Sequence, residues 1–300
     1  MEIKYFTNKE IDKKKWDNCI ANANNSLIYA YSFYLDNMAK NWDALVLNDY
    51  EAVLPLTWNK KYGIRYLYQP PFIQQLGIFS KEAITESLVN AFIDLIKTKF
   101  QFAEIFLNIA DPRSFTKPCA NFILALDKPY KNTEANYKAT FIKSLKHAKK
   151  SMPLYLSTQN YMEAIDAHIK EYAKRTTHVK ERDYKAFATA CELASAKNML
   201  VVRKAISPDN ELLAITLLLK DTNRLYNIMS VVPKRARSRE ANYFLYDEII
   251  KEFSQQVNFL DFEGSDISSI AEFYKKFGAV DQPYYFLRFN HLPWPFKYLK

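Results

Sequence analysis

Glycine is scarce and widely spaced in this chain, and that feature restricts its fold more than any other. Of 300 residues only four are glycine, at positions 63, 77, 264 and 278, and no two are closer than 14 positions. A GxGxxG dinucleotide fingerprint and a GxxxxGK phosphate loop both need clustered glycines, because the backbone must approach the phosphates closely. The sequence therefore excludes the glycine-rich nucleotide-binding loops of dehydrogenases, P-loop NTPases and protein kinases.

The chain is basic. Lys and Arg number 42 against 33 for Asp and Glu, which gives a formal net charge of +9. A positive surface attracts anions over several ångströms and raises their local concentration. The charge therefore favours a polyanionic partner or a phosphate-bearing ligand.

Cysteine and histidine are too scattered for a disulfide framework or a zinc site. Cys19, Cys119 and Cys191 lie far apart, and the four histidines form no HExxH motif. We therefore expect no metal and expect the cysteines to be buried thiols. The longest apolar run, 212–219, is far shorter than the roughly 20 residues of a membrane-spanning helix. With no signal-peptide core at the N-terminus, the sequence predicts a cytoplasmic protein without a membrane span.

The order of predicted elements indicates two successive α/β units. A segment with two prolines, 111–118, marks the junction, so we predict a first domain over 1–118 and a second over 119–289. The tail 290–300 is left open between the two. Hydrophobic periodicity in the first unit predicts strands at 3–6, 42–47, 51–59, 64–68 and 102–107, and helices over 9–23 and after Ser80.

The second unit contains the clearest pattern. Three apolar segments, 200–205, 212–220 and 224–231, are joined by short turn sequences and predict an antiparallel meander. The other predicted elements are strands at 121–126, 154–157, 258–262 and 283–289, and helices over 132–150, 161–175, 184–196 and around 241–253, with a last helix capped by Asp266 and ended by Gly278.

A basic loop, residues 234–239, follows the meander and leads directly into a predicted helix. The first turn of a helix has unpaired N–H groups and the positive end of the helix dipole, which together favour an anion. Lys234, Arg235, Arg237 and Arg239 add charged donors. The basic loop therefore predicts a phosphate site, with a solvated turn as the alternative.

This order of meander, basic loop, helix and strand resembles the GNAT acyltransferase superfamily. Further along, Asp261-Phe-Glu-Gly-Ser265 and Phe273-Tyr-Lys-Lys-Phe-Gly-Ala279 are similar to the C-terminal signature of Fem-type proteins, which are tandem GNAT folds that transfer acyl or aminoacyl groups. The resemblance implies an α/β (α+β) fold of two tandem GNAT-like domains. Each domain would be a mixed, mostly antiparallel sheet flanked by helices.

The resemblance also implies an N-acyltransferase whose donor places its phosphates on the basic loop. The donor would be an acyl-coenzyme A such as acetyl-coenzyme A, or an aminoacyl-tRNA, and the acceptor an amine on a small molecule or peptide. The candidate residues for donor binding are Lys234, Arg235, Arg237, Ser238, Arg239 and Asn242. Ser238 stands where the superfamily loop, Arg/Gln-x-x-Gly-x-Gly/Ala, has its first glycine.

Acyl transfer to an amine needs one group that accepts a proton and another that protonates the leaving group. Asp261 and Glu263 lie two apart in a predicted strand, so both point to one face and either is a candidate base. Tyr226 is the first candidate acid, with Tyr243 and Tyr285 as alternatives. The structural alternative is that the carboxylates cap the next helix and that the tyrosines pack in the core.

Polar side chains flank a proline-rich segment in the first unit. Tyr68, Gln69, Gln74 and Gln75 surround Pro70, Pro71 and Phe72, and we predict that they line a substrate cleft. The alternative is an ordered connection between two elements.

A second function remains open from the sequence alone. The missing loop glycines are also consistent with a catalytically inactive GNAT-fold module that binds tRNA or another polyanion. The lysines of the predicted helix 132–150 would serve such a module, but no aromatic residues alternate with them, which favours a solvated outer face.

Overall fold

The chain divides into two units. The computed structural model describes residues 2–113, 117–176, 178–264, 267–295 and 297. Unit 1 combines Met1–Cys119 with Pro283–Lys300, and unit 2 is Ala120–Gln282.

Helices and strands alternate along most of the chain. The helices are α1 (Lys13–Asn22), α2 (Ser32–Met38), α3 (Glu86–Lys99), α4 (Tyr130–Glu134), α5 (Ala139–Lys149), α6 (Tyr161–Tyr172), α7 (Glu181–Ala196), α8 (Ala241–Phe253) and α9 (Ser268–Lys275). The strands are β1 (Ile3–Phe6), β2 (Trp42–Leu47), β3 (Ala52–Lys61), β4 (Ile64–Tyr68), β5 (Phe79–Ser80), β6 (Phe102–Leu107), β7 (Lys117–Cys119), β8 (Phe122–Ala125), β9 (Leu154–Thr158), β10 (Leu200–Ile206), β11 (Leu212–Lys220), β12 (Arg224–Val231), β13 (Phe259–Asp261), β14 (Val280–Asp281) and β15 (Tyr284–Asn290). Short 3-10 segments lie at Asn8–Glu10, Ile28–Ala30 and Lys234–Arg239.

Unit 1 is a mixed sheet in the order β1-β2-β3-β4-β6-β15-β7, with β5 paired to β3. The strands are antiparallel to their neighbours except for β4 and β6, which are parallel. Helix α3 is capped by Thr85, whose Oγ1 accepts the Leu88 N–H at 3.3 Å. Its apolar residues recur at helical spacing and bury Phe92 and Ile96 against the sheet. Each such side chain contributes about 1.5–3 kcal/mol through burial.

Unit 2 has a sheet in the order β14-β8-β13-β12-β11-β10-β9. Only β12 and β13 are parallel among its described pairings. Helices α5 and α8 contact each other and form one core with the sheet, in which Phe141, Leu245 and Phe277 are fully buried. Helices α6 and α7 form a second contacting pair that packs on β10, β11 and β12.

The two sheets have the same connectivity, including an exchanged strand. In unit 1, β6 is parallel to β4 and antiparallel to β15, which also pairs with β7. In unit 2, β13 is parallel to β12 and antiparallel to β8, which also pairs with β14. β15 comes from the C-terminal end of the chain, whereas β8 directly follows β7. The sheet of unit 1 is therefore completed by a strand from the far end of the sequence, whereas the strands of the unit 2 sheet all lie within Ala120–Gln282.

The exchange corrects the predicted placement of 283–289 in the second domain. β15 pairs with β6 over Phe102–Leu107 and buries Leu287 and Phe289 in the core of unit 1. The described part of the tail stays with this unit, where the His291 N–H donates to the Gln101 carbonyl at 2.7 Å. A strand that fills a central place in a distant sheet has no local sequence signal for its partner.

Several predicted boundaries were wrong for local reasons. Ser80 does not cap a helix but lies in β5, and Thr85 caps α3 instead. The predicted helix 132–150 is two helices, α4 and α5, with a break at residues 135–138. The predicted helix 9–23 begins only at Lys13, where Asp12 accepts the Lys14 and Lys15 N–H groups.

Other predictions are confirmed. The meander is present as β10, β11 and β12. Gly278 follows α9 with φ +87°, which suits glycine. Asp266, the predicted cap of α9, lies outside the described residues. Within those residues, none of the helices has the length and apolar character needed to cross a bilayer.

Candidate active site

Strands β12 and β13 part from each other in the middle of the unit 2 sheet. They pair only where Arg224–Tyr226 faces Phe259–Asp261. β13 ends there, while β12 continues to Val231 with only β11 beside it. Among the described residues, no strand pairs with Asn227–Val231 on the β13 side, and we call this space the β12–β13 gap.

A β-bulge lies in β12 next to the gap. Leu217 faces Met229 and Leu218 faces Asn227, so Ile228 has no opposite residue in β11. A bulge leaves the extra residue unpaired and changes the direction of the strand. Bulges are common beside active sites because they re-aim backbone and side-chain groups.

The basic loop turns from the end of β12 into α8. Residues 234–239 form a 3-10 segment that is anchored by buried Ala236. Glu240 follows in the left-handed conformation with φ +52°, and α8 begins at Ala241. The loop therefore leads directly to the N-terminus of a 13-residue helix, where the dipole favours an anion.

The guanidinium groups of the basic loop are exposed and matched by two carboxylates. Arg235, Arg237 and Arg239 have 64%, 43% and 40% of their side chains exposed. Glu211 lies 2.8 Å from Arg235 Nε and 3.1 Å from Arg239 Nη1. Glu171 accepts the Lys234 N–H at 3.2 Å and lies 3.5 Å from Arg237 Nη2. These carboxylates orient the cations at the mouth of the loop.

A cavity of about 400 Å³ opens beside the basic loop. Lys170 and Glu171 of α6 line it together with Leu212, Lys234 and Arg235. This volume lies in the range of small-molecule sites, which is about 300–1,000 Å³.

Ser238 and Asn242, the two uncharged candidates for donor binding, lie at either side of the turn. Ser238 is exposed, and its carbonyl is 3.1 Å from Nε2 of His147 in α5. Asn242 is half-buried and is the second residue of α8. The structure thus brings the predicted donor-binding residues together on one continuous segment.

Helix α5 extends the basic surface. His147 of this helix contacts the basic loop, and four exposed lysines lie along the helix or directly after it. These lysines are Lys143, Lys146, Lys149 and Lys150. Lys149 also approaches a carboxylate, with 3.5 Å between its Nζ and Asp247 Oδ2.

Asp261 lies in a buried ion pair. The residue is 1% exposed, and its Oδ2 accepts Arg224 Nη1 at 2.8 Å and Asn121 Nδ2 at 3.4 Å. Its Oδ1 accepts the Glu263 N–H at 2.9 Å. Arg224 also donates to Gln282 at 3.0 Å. These contacts connect β13 with β12 and with Asn121 just before β8, which is a structural role other than the expected helix cap, while the assignment of Asp261 as base stays a prediction.

Tyr226 lies opposite Asp261 in the parallel ladder but uses its hydroxyl elsewhere. The hydroxyl donates to Asp221 Oδ2 at 2.7 Å, and the residue is completely buried. Burial, followed by the nearby Asp221 carboxylate, raises the pKa of Tyr226 well above its ordinary value. Tyr226 is thus a neutral hydrogen-bond donor within the core, and its catalytic role stays a prediction.

Glu263 and the alternative tyrosines occupy different places. Glu263 lies just beyond β13, half-buried, with φ +60°. Tyr243 accepts a hydrogen bond from Lys276 Nζ at 2.8 Å. Tyr285 lies on β15 in unit 1.

The structure adds residues that the sequence analysis missed. Tyr274 stacks on Phe262 with 4.6 Å between ring centroids, and its hydroxyl interacts with the side chain of Asn227. Burial raises the pKa of Tyr274 well above its ordinary value, and the charges of Glu263 and Asp261 add to this rise. Tyr274 lies in the segment 273–279 that resembles the Fem-type signature, and this position is the sequence signal that could have identified it.

The predicted substrate-binding residues of unit 1 form part of an ordered connection. Tyr68 Oη accepts the Lys40 N–H at 2.9 Å. Gln69 accepts the Phe106 N–H at 3.1 Å and donates to the Ile73 carbonyl at 2.8 Å. Gln75 is buried and donates to Gln74 Oε1 at 2.9 Å. Their role in substrate binding stays a prediction.

The same connection fills the place in unit 1 that corresponds to the β12–β13 gap. β4 and β6 pair only at Leu67–Tyr68, as β12 and β13 do at their start. Beyond that point Leu76 bridges to β6, donating to the Phe106 carbonyl at 3.0 Å and accepting the Asn108 N–H at 2.6 Å. The segment that follows β4 thus pairs with β6 at the place where β4 and β6 no longer pair.

No cluster of three or more His, Cys, Asp or Glu side chains suited to a metal ion occurs within the described ranges. Cys19, Cys119 and Cys191 are buried free thiols. Burial raises the pKa of Cys19 to about 11, so this thiol is protonated at neutral pH.

Comparison with solved structures finds a match over nearly the whole chain. The crystal structure of FemX superposes with a TM-score of 0.69 at 11% identity, covering 97% of this chain and 98% of that one. The chain has the fold of FemX. No protein-family model matches the sequence, and a comparison with curated proteins finds no match either.

Two further structures share the FemX-like architecture. A conserved protein from Bacteroides thetaiotaomicron has a TM-score of 0.61 at 11% identity, covering 93% of this chain and 98% of that chain. The C-terminal domain of a putative lysylphosphatidylglycerol synthetase from Agrobacterium fabrum has a TM-score of 0.57 at 10% identity, covering 94% and 92%. At these identities the likeness concerns the fold alone, and it confirms the predicted α/β fold with mixed, mostly antiparallel sheets and its likeness to a Fem protein.

Proposed function

We propose that this chain is an acyl- or aminoacyltransferase whose donor binds in unit 2. The observation that supports it best is the β12–β13 gap, which lies beside a basic loop that leads into the N-terminus of α8. The unpaired backbone of Asn227–Val231 can bind an extended arm, and the loop and helix can bind phosphates. A FemX-like fold with this combination fits a donor that carries its acyl group on a phosphorylated carrier.

The distances along β12 fit such a donor. Seven positions separate Lys234 in the basic loop from Asn227 at the inner end of the gap. At roughly 3.3 Å per residue this is about 23 Å. A carrier with phosphates on the loop would therefore place its far end where β12 and β13 come together, beside Asn227 and Tyr274.

Unit 2 rather than unit 1 is the proposed donor unit. In unit 1, Leu76 occupies the position between the parted strands. Gly77 has φ +140°, and a Cβ there would lie 2.0 Å from Asn108 Oδ1, so the connection is tightly fitted. A donor arm would have to displace this segment and break its backbone hydrogen bonds.

The inner end of the gap contains the groups that the reaction needs. The amine nitrogen attacks the acyl carbonyl, and the bulge at Ile228 offers a backbone N–H for the developing oxyanion. We propose that Glu263 takes the proton lost by the amine. Tyr274 is held protonated by its raised pKa, so it can give its proton to the leaving group as the carrier departs. Asp261 would support this site by holding β12 and β13 together through Arg224, and Tyr226 by fixing the turn before β12 through Asp221.

The carrier class remains part of the proposal. The basic loop alone suits the phosphates of acyl-coenzyme A. The lysines of α5 extend the positive surface beyond the loop, which suits a longer polyanion such as aminoacyl-tRNA. The amine acceptor would be a small molecule or a peptide.

Binding calorimetry with the full chain tests the proposal. Acetyl-coenzyme A, longer acyl-coenzyme A forms and an aminoacylated tRNA are titrated separately, and at least one should bind. Arg235→Ala with Arg237→Ala should weaken that donor more than tenfold, because each charged hydrogen bond contributes about 1.5–3 kcal/mol. Arg182→Ala is the matched control, since this exposed arginine of α7 is outside the basic loop and should leave affinity unchanged.

A second candidate function is an inactive module that binds polyanions. It is favoured by Ser238 in the loop and Glu240 directly after it, because they stand where the superfamily pattern has glycine and glycine or alanine. Such a module would bind tRNA with an affinity that falls steeply with salt and would transfer no acyl group. Acyl transfer from any of the donors to an amine acceptor contradicts the module; salt-dependent tRNA binding without transfer contradicts the enzyme.

A further inference from the structure

Strands β3 and β4 continue beyond the unit 1 sheet as a two-stranded arm. β2 pairs with β3 only as far as Thr57, and β6 pairs with β4 only from Leu67 onwards, whereas the ladder between β3 and β4 extends to the pair Lys61–Ile64. Lys61 is four residues beyond Thr57, so at roughly 3.3 Å per residue the arm is about 13 Å long. The arm projects where β1 and β15 end and where β2, β4 and β6 begin, and we call this side the arm end of unit 1.

Tyr62 lies at the tip of the arm in a conformation that disfavours its residue type. Tyr62 and Gly63 form the turn between the two strands, with φ +51° and +83°. Such a two-residue turn suits Asn-Gly, and a bulky residue with positive φ is uncommon. Tyr62 is 70% exposed, so burial within the chain offsets little of this disadvantage. A backbone outlier of this kind at a surface tip points to a contact outside the chain.

Trp294 projects from the same end of unit 1. β15 ends at Asn290, and the chain then turns: the Lys297 N–H donates to the Pro293 carbonyl at 3.2 Å, and Asn290 Nδ2 donates to the Lys297 carbonyl at 3.1 Å. Trp294 follows Pro293 within this turn and is 81% exposed. Within the described ranges, Tyr62 and Trp294 are the two most exposed aromatic residues, and they share one end of one sheet.

The arm end is also positively charged. The carboxylates Asp36 and Asp43 are already paired with Lys13 and Arg65, and Glu10 accepts hydrogen bonds from its neighbour at position 7. Six further lysines are exposed around the arm end, and none of them forms an ion pair with a described residue. These lysines are Lys9, Lys40, Lys60, Lys61, Lys99 and Lys297.

We propose that the arm end of unit 1 docks on an anionic membrane surface, with Tyr62 and Trp294 at the level of the lipid headgroups. Tyr and Trp favour this interface because their rings are apolar and carry one polar group. The six lysines then face anionic lipids, which attract basic groups close to the surface. The inference goes beyond the proposed function, which concerns a donor site in unit 2, and it requires no helix within the membrane.

The geometry favours a lipid surface over a single-stranded nucleic acid. A site for single strands stacks successive bases on aromatic faces along a charged groove. Here the two rings lie on separate projections, and the Nζ of Lys61 lies over the ring of Tyr62, 5.3 Å from its centroid. Two projecting rings surrounded by lysines instead suit a flat interface that both tips reach together.

Sedimentation of the full chain with vesicles tests the docking. Vesicles of phosphatidylcholine are compared with vesicles of equimolar phosphatidylcholine and phosphatidylglycerol, and only the anionic vesicles should bind, less strongly at high salt. Lys60→Ala with Lys61→Ala should weaken this binding about 30-fold, because each lysine near such a surface contributes about fivefold. The matched control is Lys81→Ala with Lys117→Ala, which removes the same charge from parts of unit 1 away from the arm end and should leave binding unchanged.

Two further variants test the aromatic tips. Tyr62→Asn introduces a residue that suits positive φ, so the variant should unfold at the same urea concentration as the wild type or at a higher one, yet bind anionic vesicles several-fold more weakly. The tryptophan emission should move to shorter wavelength when anionic vesicles bind. Trp294→Phe should abolish that shift, because Trp16 and Trp42 are buried and lie away from the tip.

The results that would overturn the inference are distinct. They are a lack of binding to anionic vesicles, and equal binding by the Lys60–Lys61 variant and its control. Binding of single-stranded oligouridine without binding of vesicles would assign the arm end to nucleic acid and would equally overturn it. Unchanged tryptophan emission in the vesicle-bound chain would show that another surface docks. Donor binding by unit 2 is measured separately, and its outcome does not alter this test.

Discussion

Replacing Asp261 by asparagine separates a structural carboxylate from a catalytic one. The Asp261 and Arg224 side chains are 1% and 7% exposed, and their closest N–O distance is 2.8 Å. Asp261→Asn leaves the Arg224 guanidinium buried without its counter-charge. Removing one partner of such a pair typically costs about 3–5 kcal/mol, so we expect the free energy of unfolding to fall by that amount.

The assay must report on the unfolding of unit 2, which contains Asp261 and Arg224. All four tryptophans, at positions 16, 42, 58 and 294, belong to unit 1, so unfolding in urea is followed by far-ultraviolet circular dichroism. Asp261→Leu combined with Arg224→Met should cost less than Asp261→Asn alone, because it removes both buried charges. Glu181→Gln, which breaks an exposed pair with Lys185, should change nothing measurable. A variant Asp261→Asn with wild-type stability and no acyl transfer would refute the structural interpretation and establish Asp261 as the base.

Three further predictions follow from the fold and the site. Ending the chain after Gln282 removes β15 from between β6 and β7, so unit 1 should unfold at a markedly lower urea concentration, seen by the fluorescence of its remaining tryptophans; unchanged unfolding would contradict the exchange. Burial lowers the pKa of His168, so below about pH 6.5 the unfolded chain binds a proton that the folded chain does not. The free energy of unfolding should therefore decrease as the pH is lowered below that value. His168→Gln should flatten that dependence in urea titrations at several pH values, and an equally steep profile would exclude His168 as its source. Glu240→Gly removes the strain of a non-glycine residue in the left-handed conformation, and it removes a carboxylate beside the α8 N-terminus. Calorimetry should therefore show tighter donor binding, because less negative charge opposes the phosphates. Weaker binding would contradict the assignment of the loop as a phosphate site.

The parts of the fold that could be predicted are those with local signals. The meander follows from three apolar segments with short turns, and Gly278 marks the end of α9. The choice between Ser80 and Thr85 as helix cap could not be made by residue type, because both hydroxyls suit that position. The tertiary contact of Ser80 with the Glu51 carbonyl at 3.1 Å places it in β5 instead.

Non-local pairing limited the rest. β15 has an ordinary strand pattern, and only the complete sheet shows that it lies between β6 and β7. The basic loop was predictable as a cationic segment before a helix, but its matching by Glu171 and Glu211 comes from distant parts of the chain. Likewise, Asn227 and Tyr246 are adjacent only because α8 packs on the sheet beside the bulge.

Hydrogen–deuterium exchange with bound donor tests the central claim most directly. The full chain is measured alone, with a saturating acyl-coenzyme A, and with a saturating aminoacylated tRNA. We predict that at least one donor slows exchange in residues 227–242, which cover the β12–β13 gap, the basic loop and the start of α8, while residues 69–78 of unit 1 stay unchanged. A donor that binds but protects only unit 1, or leaves 227–242 unprotected, would contradict a donor site in unit 2.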